Sequence, residues 1–272
     1  MSEHAPTRGL IRTNRMSSNA TSGASPRHRS KSNSNSTAGF LNGGAIDIRD
    51  RAEAFEERHL RNASIVDQEA INRQPVAIVG VGAIGSHLAE MLAKLGVHDF
   101  TLIDPDEVDT VNLAVQGFYE KEVGQPKVMA VAERLTAIDS MVAVVCHEAD
   151  YRANLVRAGS AVFACVDSMR VRRQIFRDFT EHDWPVFFDG RMAAESLRVF
   201  CIDRTDRQAI DLYRQSLFPS YEAYREGCTA RATIYCASMA AAILCALYKR
   251  WSMHQSPAPH LHFDLLSLDC FS

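Results

Sequence analysis

One stretch constrains this chain more than any other: PVAIVGVGAIG, residues 75–85. Its first half is a short, continuously apolar, β-rich run, which reads as a strand buried on both faces. Its second half opens a helical stripe of Ile84, Leu88, Leu92 and Leu95, ended by Gly96. Gly80, Gly82 and Gly85 form a GxGxxG pattern at the junction. Glycines there permit a tight turn and let phosphate approach the backbone, while the helix N-terminus offers amides and positive dipole. A strand, a glycine turn and a helix in immediate succession begin a βαβ unit, and a nucleotide or dinucleotide is its expected ligand.

The rest of the chain continues the alternation. FTLID (100–104) reads as the second strand, and Pro126 opens a helix with Val128, Val131, Ala132 and Leu135 on its apolar face. MVAVVC (141–146), AVFACV (161–166) and PVFFD (185–189) are further strands, with a helix marked by Val171, Ile175 and Phe179 between the last two. LRVFCID (197–203) follows PVFFD too closely for a helical crossover, so it is expected to be antiparallel. The fold class is therefore α/β: a Rossmann-like, mostly parallel sheet with helices on both faces and an added antiparallel strand region.

Composition narrows the function. Residues 1–43 hold six cations against Glu3, a net +5, which leaves −8 on the remainder of a chain whose net charge is −3. An acidic body argues against nucleic-acid binding driven by phosphate neutralisation. Residues 1–44, rich in Ser, Asn, Arg and Gly, offer little to bury and are expected to form a disordered basic tail ahead of one domain over 45–272. Seven cysteines with no CxxC pair argue against a disulfide framework or a four-cysteine zinc site and point to a reduced, cytoplasmic setting. ATIYCASMAAAILCALY (232–248) is uncharged, but its alanine content and symmetric basic flanks fit a buried helix, and no membrane association is expected. His260 and His262 alternate on an expected strand, where two histidines alone are structural.

Asp104 closes the second strand, where an acid can accept from ribose hydroxyls. It opens DPDEVDTVNLAVQGF (104–118), followed by GQPK (124–127) and CVDS (165–168). These segments, in order, resemble the nucleotide site of the ThiF/MoeB/ubiquitin-activating adenylyltransferase family, and the likeness covers roughly 58–250 of the chain. The resemblance implies ATP and Mg²⁺ as cofactors. It makes Asp104 the ribose acid, Asn112 a nucleotide contact, Lys127 the phosphate lysine and Asp167 the magnesium aspartate needed for adenylation. It also implies a homodimer, with an arginine upstream of the first strand reaching the partner's ATP; Arg61 fits best, with Arg58 in reserve. Cys228, after a charged crossover segment (204–227), resembles the reactive cysteine of sulfur-transferring members. One position departs: the arginine of the family's N-L-x-R-Q element is Val115 here.

These roles suit the chemistry. Acyl-adenylate formation builds charge at the α-phosphate, which a lysine and a metal-holding carboxylate stabilise. The expected function is ATP-dependent activation of the C-terminal carboxylate of a ubiquitin-like, sulfur-carrier or peptide substrate, with thioester or sulfur transfer at Cys228 as a further step. Arg191 of FFDGRM is a candidate for binding the substrate tail. Between Asp167 and Gly190 there is no room for a separate catalytic-cysteine domain, so later steps are expected to need partner proteins, a conjugating-enzyme-like one among them. Two alternatives remain: a tRNA-modifying dehydratase of the same family, and a non-catalytic nucleotide-binding scaffold suggested by Val115. An NAD-linked oxidoreductase leaves GQPK and CVDS without a role.

Overall fold

A computed structural model describes residues 56–218 and 232–271. Its centre is one eight-stranded sheet in the order β3-β2-β1-β4-β5-β6-β7-β8. Strands β1 (Val76–Val79), β2 (Asp99–Ile103), β3 (Ala143–His147), β4 (Ala161–Ala164) and β5 (Val186–Ala193) run parallel. Strands β6 (Ser196–Asp203), β7 (His260–Asp264) and β8 (Asp269–Phe271) add to β5 as an antiparallel meander, as the short link to LRVFCID requires.

Both faces of the central strands are covered, which is why their sequences are apolar throughout. On one face, Ile78, Leu102, Phe163 and Phe188 pack under α2 (Ala83–Leu95), α3 (Lys127–Ile138) and α6 (Ile234–Ser252). A short α1 (Gln68–Asn72) precedes β1 and touches α6. On the other face, Ala77, Val79, Val162 and Phe187 pack under α4 (Met169–Glu181) and α5 (Arg207–Gln215). The stripe of α2 places Ile84, Leu88 and Leu92 in the core, and Gly96, at φ +112°, ends the helix in the left-handed region.

The uncharged segment 232–248 forms most of α6, whose Ala237, Ala240 and Ala241 let it lie close to α2 and to β5 and β6. Among the described residues no helix is long and apolar enough to cross a membrane. β3 differs from the sequence expectation of a buried strand: Ala143 and Val145 are exposed. It is an edge strand, with α3 against only one of its faces, so alternate side chains turn to solvent. The crossover segment contributes α5, capped by Asp206 through the Ala209 N–H. The basic tail and Cys228 lie outside the described residues. His260 stacks on Phe200 at 4.5 Å and His262 is bonded to Ser196, so both are used within the sheet.

Candidate functional site

The register sets Val79 of β1 level with Ile103 of β2 and Ala164 of β4. The segments leaving the carboxyl ends of these three strands therefore emerge side by side. β1 lies between β2, next in sequence, and β4, reached only later in the chain, which makes this the switch point where open α/β sheets take their ligands.

Gly80 follows β1 at φ +86°, and a Cβ there would stand 2.7 Å from the Cys165 carbonyl oxygen. A Cβ on Gly85 would meet the Gly80 carbonyl oxygen at 2.0 Å. These two glycines lock the turn against β4 and against the start of α2. Gly82 is different: a Cβ there would meet only the Gln116 side chain, at 3.7 Å. It occupies the N-cap of α2 with no side chain bonded to the first amides, so the dipole end of the helix stays accessible to an anion.

Asp104 is buried just past β2. Its carboxylate accepts the Val81 N–H at 2.8 Å and the Asp106 N–H at 2.9 Å, tying the glycine turn to the next loop. Burial pushes its pKa above the ordinary carboxylate range, opposed by those two amides and by the charge of Lys127. Lys127 opens α3 and is itself buried. Its N–H donates to the Asp106 carbonyl at 2.9 Å and its Nζ to Asp106 Oδ2 at 2.8 Å. Asp106 is otherwise solvent-facing, so the lysine is an enclosed charge with one exposed partner. Asp106 stands inside DPDEVDTVNLAVQGF, yet its pairing with Lys127 has no signature in the sequence.

Asn112 lies in a 3₁₀ turn (Thr110–Asn112), where its Oδ1 accepts the Asp109 N–H at 3.1 Å. This is turn-stabilising work; its amide NH₂ takes no part in that bond. Gln116, also unassigned from sequence, points toward Gly82 with a buried Oε1 that has no hydrogen-bond partner. Asp167 is exposed in the loop after β4. That loop is held from below: Arg172 donates to the Val166 carbonyl, and Ser168 caps α4.

The structure thus gathers Gly80, Gly82, Gly85, Asp104, Lys127 and Asp167 at one end of the sheet. Arg58 is not among them. It pairs with Asp139, which precedes β3 and so lies at the opposite, amino end of the strands. Arg61 is exposed on the turn that follows. Arg191 is not free for a substrate tail, because Asp189, Ser216 and the rings of Phe200 and Tyr213 engage its guanidinium.

Known proteins resemble this chain in sequence and in fold. The molybdopterin-synthase adenylyltransferase of Escherichia coli K12 is 34% identical over 122 residues, which are 43% of this chain and 49% of that protein. The ubiquitin-like modifier-activating enzyme 5 of Drosophila willistoni is 30% identical over 148 residues, 48% of this chain and 36% of that protein. The chain spans about half the length of the curated relatives it matches, or less. Among solved structures, PaaA superposes with a TM-score of 0.67 at 16% identity, covering 86% of this chain and 76% of that one. E. coli MccB crystallised with ATP gives 0.59 at 16% identity, covering 75% and 64%. The model of the ThiF family matches residues 56–272, and the chain belongs to that family.

Proposed function

We propose that the chain is an ATP-dependent adenylyltransferase that activates the C-terminal carboxylate of a peptide, sulfur-carrier or ubiquitin-like substrate. One observation carries this reading: a glycine turn, a buried ribose-type acid, an enclosed lysine and an exposed aspartate share the carboxyl ends of β1, β2 and β4. The adenylyltransferase and activating-enzyme names of its relatives support it.

The residues fit the nucleotide. The uncapped start of α2 beside Gly82 suits phosphate, and the unpartnered Gln116 Oε1 near it can accept from a hydroxyl of the nucleotide. Asp104 would accept from the ribose. Asp167 would hold magnesium, which supplies charge neutralisation on the phosphates. No cluster of three or more metal-ligating side chains occurs among the described residues, so the nucleotide's own oxygens would complete that coordination.

In the reaction a substrate carboxylate oxygen attacks the α-phosphorus. The bond to the β-phosphate breaks, and its electron pair leaves with pyrophosphate. Lys127 stabilises the charge that develops, exchanging the Asp106 carboxylate for a phosphate oxygen. The exchange replaces one anion by another, so the enclosed ammonium is never left unpaired. Arg61 would act across a homodimer on the partner's nucleotide. The Cys228 thiolate would then attack the acyl-adenylate, forming a thioester as AMP leaves, or, once charged as a persulfide by a sulfur-donor protein, would pass its outer sulfur to the acyl carbon. For the thioester, a conjugating-enzyme-like protein would be the next acceptor.

ATP–pyrophosphate exchange with candidate carboxylate substrates tests the reading, and Asp167→Ala should abolish exchange. A substrate that binds without exchange, together with an inert Asp167→Ala, overturns it for that substrate. A second reading follows from Val115, which leaves the family's arginine position without a cation. A nucleotide-binding scaffold would bind ATP and show no exchange with any partner.

A further inference from the structure

Below the loop that carries Asp167 lies a buried charge cluster that nothing in the proposed chemistry uses. Asp189 of β5 is fully enclosed and accepts from three donors. Arg172 Nε reaches its Oδ1 at 2.7 Å, while Arg191 Nε and the Tyr213 hydroxyl reach its Oδ2, the latter at 2.9 Å. The two arginines point in different directions from this shared anion. Arg172 also donates to the carbonyls of Val166 and Gly190, and Val166 directly precedes Asp167. Arg191 donates to the carbonyl and the hydroxyl of Ser216, just past α5, both at 3.0 Å. Arg173 bonds the Phe218 carbonyl at 2.8 Å, a separate tie from the first turns of α4 to the segment after α5.

We propose that Asp189 is a positioning residue: through Arg172 and Arg191 it fixes the Asp167 loop and the end of α5 as one unit. The functional consequence rests on the adenylyltransferase reading, in which Asp167 holds magnesium. A carboxylate anchored one residue away holds its cation at a set place, and loosening the anchor weakens the site without removing a ligand. The cluster carries two positive charges and one negative, so loss of Arg191 leaves a neutral Arg172–Asp189 pair and an intact core.

Arg191→Met is therefore the main test, with Tyr213→Phe as a milder variant and Phe100→Leu, in the core under the opposite face of the sheet, as a control. Hydrogen exchange read by mass spectrometry follows the amides of 165–168. In Arg191→Met they should exchange about tenfold faster although Arg191 does not touch that loop, with a smaller rise in Tyr213→Phe and none in Phe100→Leu. The magnesium concentration that half-saturates ATP binding should rise by about the same factor in Arg191→Met. Unchanged exchange at 165–168 in folded Arg191→Met overturns the coupling. Faster exchange with an unmoved magnesium midpoint overturns the positioning role and leaves a structural anchor only. Absence of pyrophosphate exchange in the wild type counts against the adenylyltransferase reading alone, since the amide measurement needs no substrate.

Discussion

At the scale of single residues, the glycine motif separates into two kinds of demand. Gly85→Ala forces a Cβ into the Gly80 carbonyl and should destabilise by about 1–3 kcal/mol or more. Gly82→Ala meets only ordinary contact with Gln116, so it should melt close to wild type while losing ATP affinity; calorimetry and nucleotide titration of the two variants check this. Lys127→Ala removes the cation from the proposed phosphate site and should lower the exchange rate roughly 10²–10³-fold in a pyrophosphate assay. Asp104 gives a pH prediction. Its folded pKa is raised above 3.8 mainly by burial, so its contribution to stability is present below that value and is lost as pH rises through the raised one. Paired thermal melts between pH 4 and 7 should show wild type losing ground to Asp104→Asn as pH increases.

At the scale of elements, what the sequence reveals depends on how local the cause is. The β1–α2 junction was legible because its strand, turn and helix signals lie within about 20 contiguous residues. Antiparallel β6 was legible because chain length alone forbids a crossover helix. The exposure of β3 was not, since MVAVVC reads the same whether the strand is central or at an edge; position in the sheet is settled by tertiary order. The Asp189 cluster was equally hidden. Arg172, Asp189, Arg191 and Tyr213 come from α4, β5 and α5, and no pattern in any one of those segments announces the others. Arg191 misled for the same reason: an arginine after a strand invites a ligand role until its buried partners are known. Asn112 and Asp106 show a third case, in which the motif was visible but the division of labour within it was not.

At the scale of the whole molecule, the candidate site is built at one end of the sheet, and the region holding Arg58 is pinned at the other. On the proposed reading, a role for Arg61 at a nucleotide site would belong to a second copy of the chain, and mixing experiments address it. Arg61→Ala and Asp167→Ala should each be inactive alone. Mixed in equal amounts and allowed to exchange subunits, they should recover about a quarter of the wild-type sites, because half the two-fold dimers then hold one intact site. No recovery, with subunit exchange verified by mass, would place Arg61 outside the site. The glycine turn carries a different implication, for descent rather than mechanism. Gly80 and Gly85 answer to the backbone of their own fold, so a lineage that ceased to handle nucleotides would retain both, and Gly82 would be the first to drift.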